Sequence, residues 1–360
     1  MVLSNGPGWR RRRNMSDLSL RHPHTADSPS GDWLIDSFGR RIVNLRISVT
    51  DRCNFRCRYC MPEEGMRWLP KEALLSYEEL ARVAKVFVDL GVRKIRLTGG
   101  EPLMRHDLDR LVGFLSSITQ LEDLALTTNG FFLAERIDEL AKAGLRRLNV
   151  SLDSLDPVKF NLMTRRNYYQ RVIDGLSAAE AYGLVPLKVN AVLIRGINDD
   201  EIVKFAELAR RKPYVIRFIE FMPIGADDGW SPERVVSARE VIGRIEKGVG
   251  KKLVPIELHG AQPADRFQFE DGKGEIGFIS SVSEPFCDHC NRVRITSDGK
   301  LRTCLFSLAE TDLREPLRNH ASDDELKAVI RAAVWNKEPG HKINKPEFER
   351  PTRSMSQIGG

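Results

Sequence analysis

Asn44-Leu45-Arg46-Ile47-Ser48-Val49-Thr50 runs straight into Asp51-Arg52-Cys53-Asn54-Phe55-Arg56-Cys57-Arg58-Tyr59-Cys60. The first seven residues alternate, with Asn44, Arg46, Ser48 and Thr50 on one face and Leu45, Ile47 and Val49 on the other. A period of two is the mark of a strand with one apolar and one polar side. Five further stretches share it, at 94–98, 124–128, 147–151, 187–193 and 215–220. Their polar sides carry Arg96 and Thr98, Thr127 and Asn129, Asn149 and Ser151, and Lys188 and Asn190. Between the strands lie helical patterns at 77–90, 106–117, 133–143, 172–182 and 200–210. The first of these opens on Ser76 with Glu79 three positions on, a capping box.

Strands alternating with helices imply parallel βαβ units. A closed, filled parallel barrel buries both faces of every strand and reads as near-continuous apolar runs. These strands do not, and burying their polar faces without partners costs several kcal/mol per group, on the order of the desolvation of an amide or hydroxyl. The expected fold is therefore α/β, an incomplete, open six-stranded (βα)6 barrel of TIM-like build whose interior takes a large polar ligand. An antiparallel sheet with one wet face is the alternative, and the intervening helices disfavour it. After about residue 245 the pattern becomes short and Gly-punctuated through 251–283, then helical at 323–335. The expected organisation is an extension at 1–35, a barrel domain at 36–245 and a smaller α+β domain at 246–360 carrying a second metal site.

The chain has 360 residues, 41% hydrophobic and 29% charged, with a net charge of +6. That composition supports a packed core and excludes disorder as the main state. Residues 1–30 hold five arginines (Arg10, Arg11, Arg12, Arg13, Arg21) against Asp17 and Asp27 and supply half of the excess charge. The remainder is too weakly basic to suggest a nucleic-acid coat. The arginine run has no apolar stretch behind it, so it does not read as a secretory or twin-arginine signal, and the two aspartates count against a transit peptide. A disordered tail, or a start at Met15, is the expected reading of this stretch. No apolar run reaches the ~18–20 residues that span a bilayer, so no membrane partner is expected and the location is taken as cytoplasmic.

All six cysteines fall into two triplets, Cys53/Cys57/Cys60 and Cys287/Cys290/Cys304. A disulfide framework is disfavoured in a chain this long, and clustered thiols usually bind metal. The first triplet, C-x3-C-x2-C, supplies three of the four ligands that a 4Fe–4S cluster takes and leaves one iron open. An open coordination position signals chemistry rather than scaffolding. Structural zinc would need a fourth ligand, and none lies nearby. The second triplet, C-x2-C-x13-C, reads the same way; a zinc ribbon would have to recruit His289 from the cramped position between Cys287 and Cys290.

The first triplet, with Tyr59 before its last cysteine and Thr98-Gly99-Gly100-Glu101-Pro102 at the second strand, resembles the radical S-adenosylmethionine (SAM) superfamily. In that superfamily the open iron chelates SAM, and reduction yields a 5′-deoxyadenosyl radical. Adding the second triplet, Arg292-Val293-Arg294 and the terminal Gly359-Gly360, the chain from about Arg40 onward resembles the GTP 3′,8-cyclase family of molybdenum cofactor biosynthesis. The resemblance implies that the ribose H3′ of GTP is abstracted and that C3′ attacks guanine C8. The product is (8S)-3′,8-cyclo-7,8-dihydroguanosine 5′-triphosphate. It also implies two 4Fe–4S clusters, one on each triplet, the first binding SAM and the second the substrate. SAM contacts are expected from Tyr59, Gly100, Ser151 and Met222, and GTP contacts from Arg46, Arg96, Thr127, Lys188, Arg217, Arg292 and Arg294. No side chain is assigned as an acid–base catalyst. Further expectations are a flavodoxin or ferredoxin reductant, a cyclic pyranopterin monophosphate synthase acting on the product, a homodimer, and a Gly-Gly tail reaching the site. Strand parity independently puts Arg46, Arg96, Thr127, Ser151 and Lys188 on the inward faces.

Two other readings compete. A radical SAM peptide-modifying enzyme would usually carry more C-terminal cysteines than three. A zinc-bearing nucleic-acid-binding protein would leave the inward polar strands and the Gly-Gly-Glu-Pro segment unexplained.

Overall fold

The computed structural model describes residues 33–225, 229–257 and 263–359. The extension expected at 1–35 lies almost wholly outside them, as does Gly360. The six expected strands are all present: β1 (Asn44–Ser48), β2 (Lys94–Thr98), β3 (Asp123–Thr128), β4 (Arg147–Ser151), β5 (Leu187–Leu193) and β6 (Tyr214–Glu220). They stand side by side in chain order and pair in parallel throughout. Helices α1 (Tyr77–Asp89), α2 (Leu108–Ser116), α3 (Leu133–Lys142), α5 (Tyr169–Ala181) and α6 (Ile202–Arg211) occupy the expected connections. The Ser76–Glu79 capping box of α1 is formed in both directions.

The helix α4 (Pro157–Thr164) escaped the periodicity because apolar residues lie on both its faces, with Phe160 and Met163 buried and Val158 and Leu162 exposed. Its start was nonetheless written in the chain. Asp156 accepts hydrogen bonds from the backbone N–H groups of Val158 and Lys159, and Pro157 sits at the first helical position, where its missing N–H costs nothing.

The sheet is open but wider than six strands. The later chain adds β7 (Leu253–Pro255), β8 (Asp265–Phe269), β9 (Glu275–Ile279), β10 (Arg292–Ile295), β11 (Lys300–Arg302) and β12 (Thr311–Asp312), with helices α7 (Ala238–Val249), α8 (Arg314–Arg318), α9 (Asp323–Trp335) and α10 (Met355–Ile358). The order is β12-β11-β10-β1-β2-β3-β4-β5-β6-β9-β8-β7, a single twelve-stranded sheet. β9 joins β6 in parallel and β10 joins β1 in parallel, so eight consecutive strands run the same way. The hairpin partners β8 and β11 pair antiparallel outside them. This corrects the six-stranded expectation. β9 and β10 have only the short 3-10 turn Cys287–His289 between them and no α-helix to mark a βα unit, and their pairing with β6 and β1 is set by residues far away in sequence. Every strand of 246–360 is thus built onto one edge or the other of the sheet begun by 44–220.

The apolar face is covered as the alternation requires. Leu45, Ile47, Ile95, Leu97, Leu126, Leu148, Val150 and Val189 are all buried in one core with Leu80, Phe87, Leu111, Leu140 and Phe205 of the helices. Burial of such side chains contributes ~1.5–3 kcal/mol apiece and sets which face of each strand is left for the site.

Candidate functional site

The first cysteine loop is bound to the carboxyl ends of β2 to β5. Val49 N–H donates to Thr98 O at 2.9 Å, Gly100 N–H to Thr50 O at 2.9 Å and Glu101 N–H to Arg52 O at 2.8 Å. The loop and the Gly-Gly-Glu-Pro segment therefore run in backbone contact. A Cβ at Gly100 would lie 2.3 Å from Arg52 O and 2.5 Å from Asp51 O, so only glycine fits. Beneath them Glu101, fully buried, accepts from Leu103 N–H (2.9 Å), Thr128 Oγ1 (2.8 Å) and Asn129 N–H (2.6 Å). Burial pushes its carboxyl up to about 7 despite those donors. Asn129 in turn donates to Asn54 Oδ1 at 2.8 Å and lies 3.9 Å from Cys53 Sγ. Tyr59 Oη donates to Asp153 Oδ2 at 2.6 Å, and Val192 N–H donates to Asp153 Oδ1 at 2.9 Å. Asp153 follows β4 in sequence and Val192 lies near the end of β5, so four strand ends hold one loop.

The three thiols of that loop are poor acids as they stand. Burial, then the Glu101 carboxylate, pushes Cys53 up to about 11. Burial and the neighbouring Cys53 push Cys60 up to about 12, and Cys57 is raised by burial, Asp153 and both other cysteines. Half-buried thiols that suppress one another's ionisation fit a cationic group that takes all three as thiolates. A 4Fe–4S cluster is such a group.

The second triplet behaves differently. Cys287 and Cys290 bracket a short turn, and Cys304 follows β11. Burial pushes Cys287 up to about 11 and also raises Cys304. At Cys290 burial is outweighed by Lys337, Arg292 and the Arg292 N–H, which bring it down to about 7. His289, the fourth ligand a zinc ribbon would need, is exposed. Among the described residues no three His, Cys, Asp or Glu side chains converge as they would on a single ion. A cluster asks less, since each thiolate takes a different iron.

Between the triplets lies the polar face of the sheet. Register places Arg294, Arg46, Arg96, Ala125 and Arg147 in one row across β10, β1, β2, β3 and β4. A second row runs Thr127, Asn149 and Lys188, and a third Ser151, Asn190 and Arg217. All of the expected GTP contacts thus share this face, as does the expected SAM contact Ser151. Burial, then neighbouring cations, lowers each of the main ones: Arg96 to about 10, Arg217 and Arg294 to about 9, and Lys188 to about 7. Arg46 is lowered strongly, by burial and then by Arg294, Arg96 and Arg292. Arg217 Nε, Asn149 Oδ1 and Asn190 Oδ1 are buried without a hydrogen-bond partner. Such a concentration of like charge in a desolvated place is unfavourable by itself and becomes favourable with a polyanion among the cations.

Arg147 was missed in the sequence although its parity matches Asn149 and Ser151. It pairs with Asp123 and lowers the pKa of Arg96, Lys188 and Arg217. Met222, beyond β6, packs in an apolar group with Ile224, Phe306, Ile358 and Cys304. That group joins the two triplets: it holds Cys304, and Ile358 lies two residues after Ser356, whose backbone bonds Cys60. The chain end also enters the site. Arg294 Nη1 donates to Gly359 O, and a Cβ on Gly359 would meet Thr98 Cγ2 at 2.8 Å and Ser48 Cβ at 3.1 Å. Ser48 and Thr98 lie on the polar face.

A cysteine loop seated on the strand ends of a parallel sheet, with a cation-lined face below it, defines a radical SAM protein. The radical SAM superfamily profile matches residues 47–209 and that of Molybdenum Cofactor Synthesis C matches 214–343. The chain belongs to the GTP 3′,8-cyclase family. It is 44% identical over 328 residues to the GTP 3′,8-cyclase of Streptomyces coelicolor, covering 91% of this chain and 96% of that one. To the GTP 3′,8-cyclase of Thermodesulfovibrio yellowstonii it is 46% identical over 326 residues, covering 90% and 99%. Among solved structures it resembles Streptococcus suis SuiB bound to S-adenosylmethionine, with a TM-score of 0.57 over 86% of this chain and 76% of that one. At 15% identity that likeness concerns the fold alone. Among the described residues no helix is long and apolar enough to cross a membrane.

Proposed function

We propose that this protein is a GTP 3′,8-cyclase that uses SAM and a 4Fe–4S cluster to convert GTP to (8S)-3′,8-cyclo-7,8-dihydroguanosine 5′-triphosphate, the first step of molybdenum cofactor biosynthesis. The observation that carries it is the face of desolvated, mutually repelling cations lying between two cysteine triplets. Cys53, Cys57 and Cys60 hold the first cluster, and Tyr59, Gly100, Ser151 and Met222 contact SAM. Cys287, Cys290 and Cys304 hold a second 4Fe–4S cluster facing the substrate. When bound, the first cluster and SAM supply the carbon radical that takes the ribose 3′ hydrogen.

The chain's own residues do the rest by placement. Arg46, Arg96, Thr127, Lys188, Arg217, Arg292 and Arg294 bind GTP, the guanidinium forks matching phosphate oxygens in pairs. Holding the ribose against the radical source is the main service, since orientation alone can supply a large part of a rate enhancement. Residues 36–245 make the SAM-cluster domain and 246–360 the substrate-cluster domain, whose β9 and β10 extend the same parallel sheet. A flavodoxin or ferredoxin supplies electrons, a cyclic pyranopterin monophosphate synthase consumes the product, and the enzyme acts as a homodimer. The six unpaired thiols fit a reducing, cytoplasmic location.

The test is SAM cleavage by anaerobically reconstituted protein with a strong reductant, supplied with GTP, ATP or a Cys-rich peptide. The expected result is 5′-deoxyadenosine that rises with GTP alone and carries deuterium from the ribose 3′ position. Cleavage stimulated by the peptide and not by GTP would overturn the reading in favour of peptide modification.

Lys188 gives this site a pH signature. Its ammonium is lowered to about 7, chiefly by burial and then by Arg217, Arg147 and Arg96. Without ligand it is therefore mostly neutral above pH 7, while a bound polyphosphate favours the charged form. GTP binding at pH 8 should take up close to one proton, seen by calorimetry in two buffers of different ionisation enthalpy. The uptake should vanish in Lys188→Met and shrink as the pH falls below 7.

A further inference from the structure

The segment Lys337-Glu338-Pro339-Gly340-His341 straps the second triplet. A Cβ on Gly340 would lie 2.9 Å from Cys287 Cβ and 3.2 Å from Cys287 Sγ, so backbone is pressed against that ligand. Arg40, itself paired with Asp36, donates to Cys287 O at 2.9 Å, Pro339 O at 2.8 Å and Glu338 O at 2.5 Å, fixing strap and ligand together. Lys337 is only 3% exposed. Its Nζ donates to Arg292 O at 3.2 Å and to Thr303 O, which places the ammonium between the chain leaving Cys290 and the residue preceding Cys304. Glu338 is committed elsewhere, accepting from Thr303 Oγ1 at 2.6 Å and from the Ser307 hydroxyl. Among the described residues no carboxylate stands at ion-pair distance from Lys337.

A buried ammonium held only by carbonyls is costly unless a negative group lies close by. The anions available here are the cysteine thiolates, and three thiolates on a 4Fe–4S core leave it net negative. Lys337 also favours the ionised form of all three cysteines. We propose that Lys337 is a positioning residue for the C-terminal iron–sulfur cluster, its built-in counter-charge, which holds the cluster in place and favours its reduced, more negative state. The inference rests on the second-cluster reading above. Reduction potentials of such clusters follow local charge and hydrogen bonding, and residues supporting ligands typically carry ~10–100-fold in metal affinity.

The test uses the full chain with the first triplet replaced (C53A/C57A/C60A), reconstituted anaerobically, so that only the second cluster reports. K337Q should shift the potential, read by EPR during a redox titration, to more negative values and weaken iron retention against a chelator by ~10–100-fold. K337R should follow the Lys337 parent in both. An unchanged potential in K337Q, or a K337R displaced as far as K337Q, overturns the assignment while leaving the cyclase reading intact. A parent that binds no iron overturns both the second cluster and this role for Lys337. If K337Q does not fold, K337R decides: a parent-like potential supports the counter-charge and a lowered one overturns it.

Discussion

Cys53→Ala should reduce SAM cleavage to background, whereas Cys304→Ala should keep part of it and lose its stimulation by GTP. The first expectation follows from the ligand count. The loop 53–60 offers three thiolates and no spare donor, and each raised thiol depends on the metal to ionise. Removing one leaves two ligands, with Asn129 and Asn54 bonded to each other rather than available. The second expectation follows from separation in the fold. Cys304 comes after β11, on the far side of β10 from the first loop, and its one link toward the SAM contacts is the apolar group it shares with Met222 and Ile358, which is why cleavage is kept only in part. Its loss should disturb substrate placement and leave the strand ends around Cys53 in order. The measurement is 5′-deoxyadenosine formed with and without GTP, beside iron counted per chain, where about eight for the wild type falls to about four in each variant. If both variants cleave SAM normally in the presence of GTP, the division of labour between the triplets is wrong.

Replacing Arg292 and Arg294 together by Ala should weaken GTP binding by ~10²–10³-fold, the roughly 3–4 kcal/mol carried by desolvated charge pairs. SAM binding should change far less. Arg294 is buried and shares its row with Arg46 and Arg96, so a phosphate there meets several guanidinium groups at once. The loss should grow with the number of phosphates, being largest for GTP and smallest for guanosine. Equal losses of GTP and SAM would instead report a damaged fold. Without ligand the wild-type cations repel one another, so the variant need not lose stability, and a melting temperature near that of the wild type is the accompanying expectation.

Much of this site is legible in the amino-acid sequence. The two cysteine spacings, Gly99-Gly100 and the strand parities that align Arg46, Arg96, Thr127, Ser151 and Lys188 are properties of short windows. Arg147 has the same parity as Asn149 and follows from the same rule. Helix α4 is announced by Asp156-Pro157 even though the exposed Val158 and Leu162 blur its apolar stripe. Asp153 and Lys337 carry no comparable signal, and Glu101 shows only as part of the Gly-Gly-Glu-Pro segment. A lone acidic or basic residue in sequence reads as surface, and only its burial and partners give it a role.

By itself, then, the sequence determined the βα repeat, the polar side of each strand and the two sets of three cysteines. Each of these is local: backbone pleat sets parity, and ligand spacing is measured along a few bonds. Tertiary structure decided which strands flank the repeat, because β10 meets β1 and β9 meets β6 only when distant segments collapse together. It also decided that the separate cations share one desolvated face, that Gly359 rests against Ser48 and Thr98, and that Lys337 is buried beside the second triplet. Electrostatics and burial are properties of neighbours in space, and the chain brings those neighbours in from either end of the sheet.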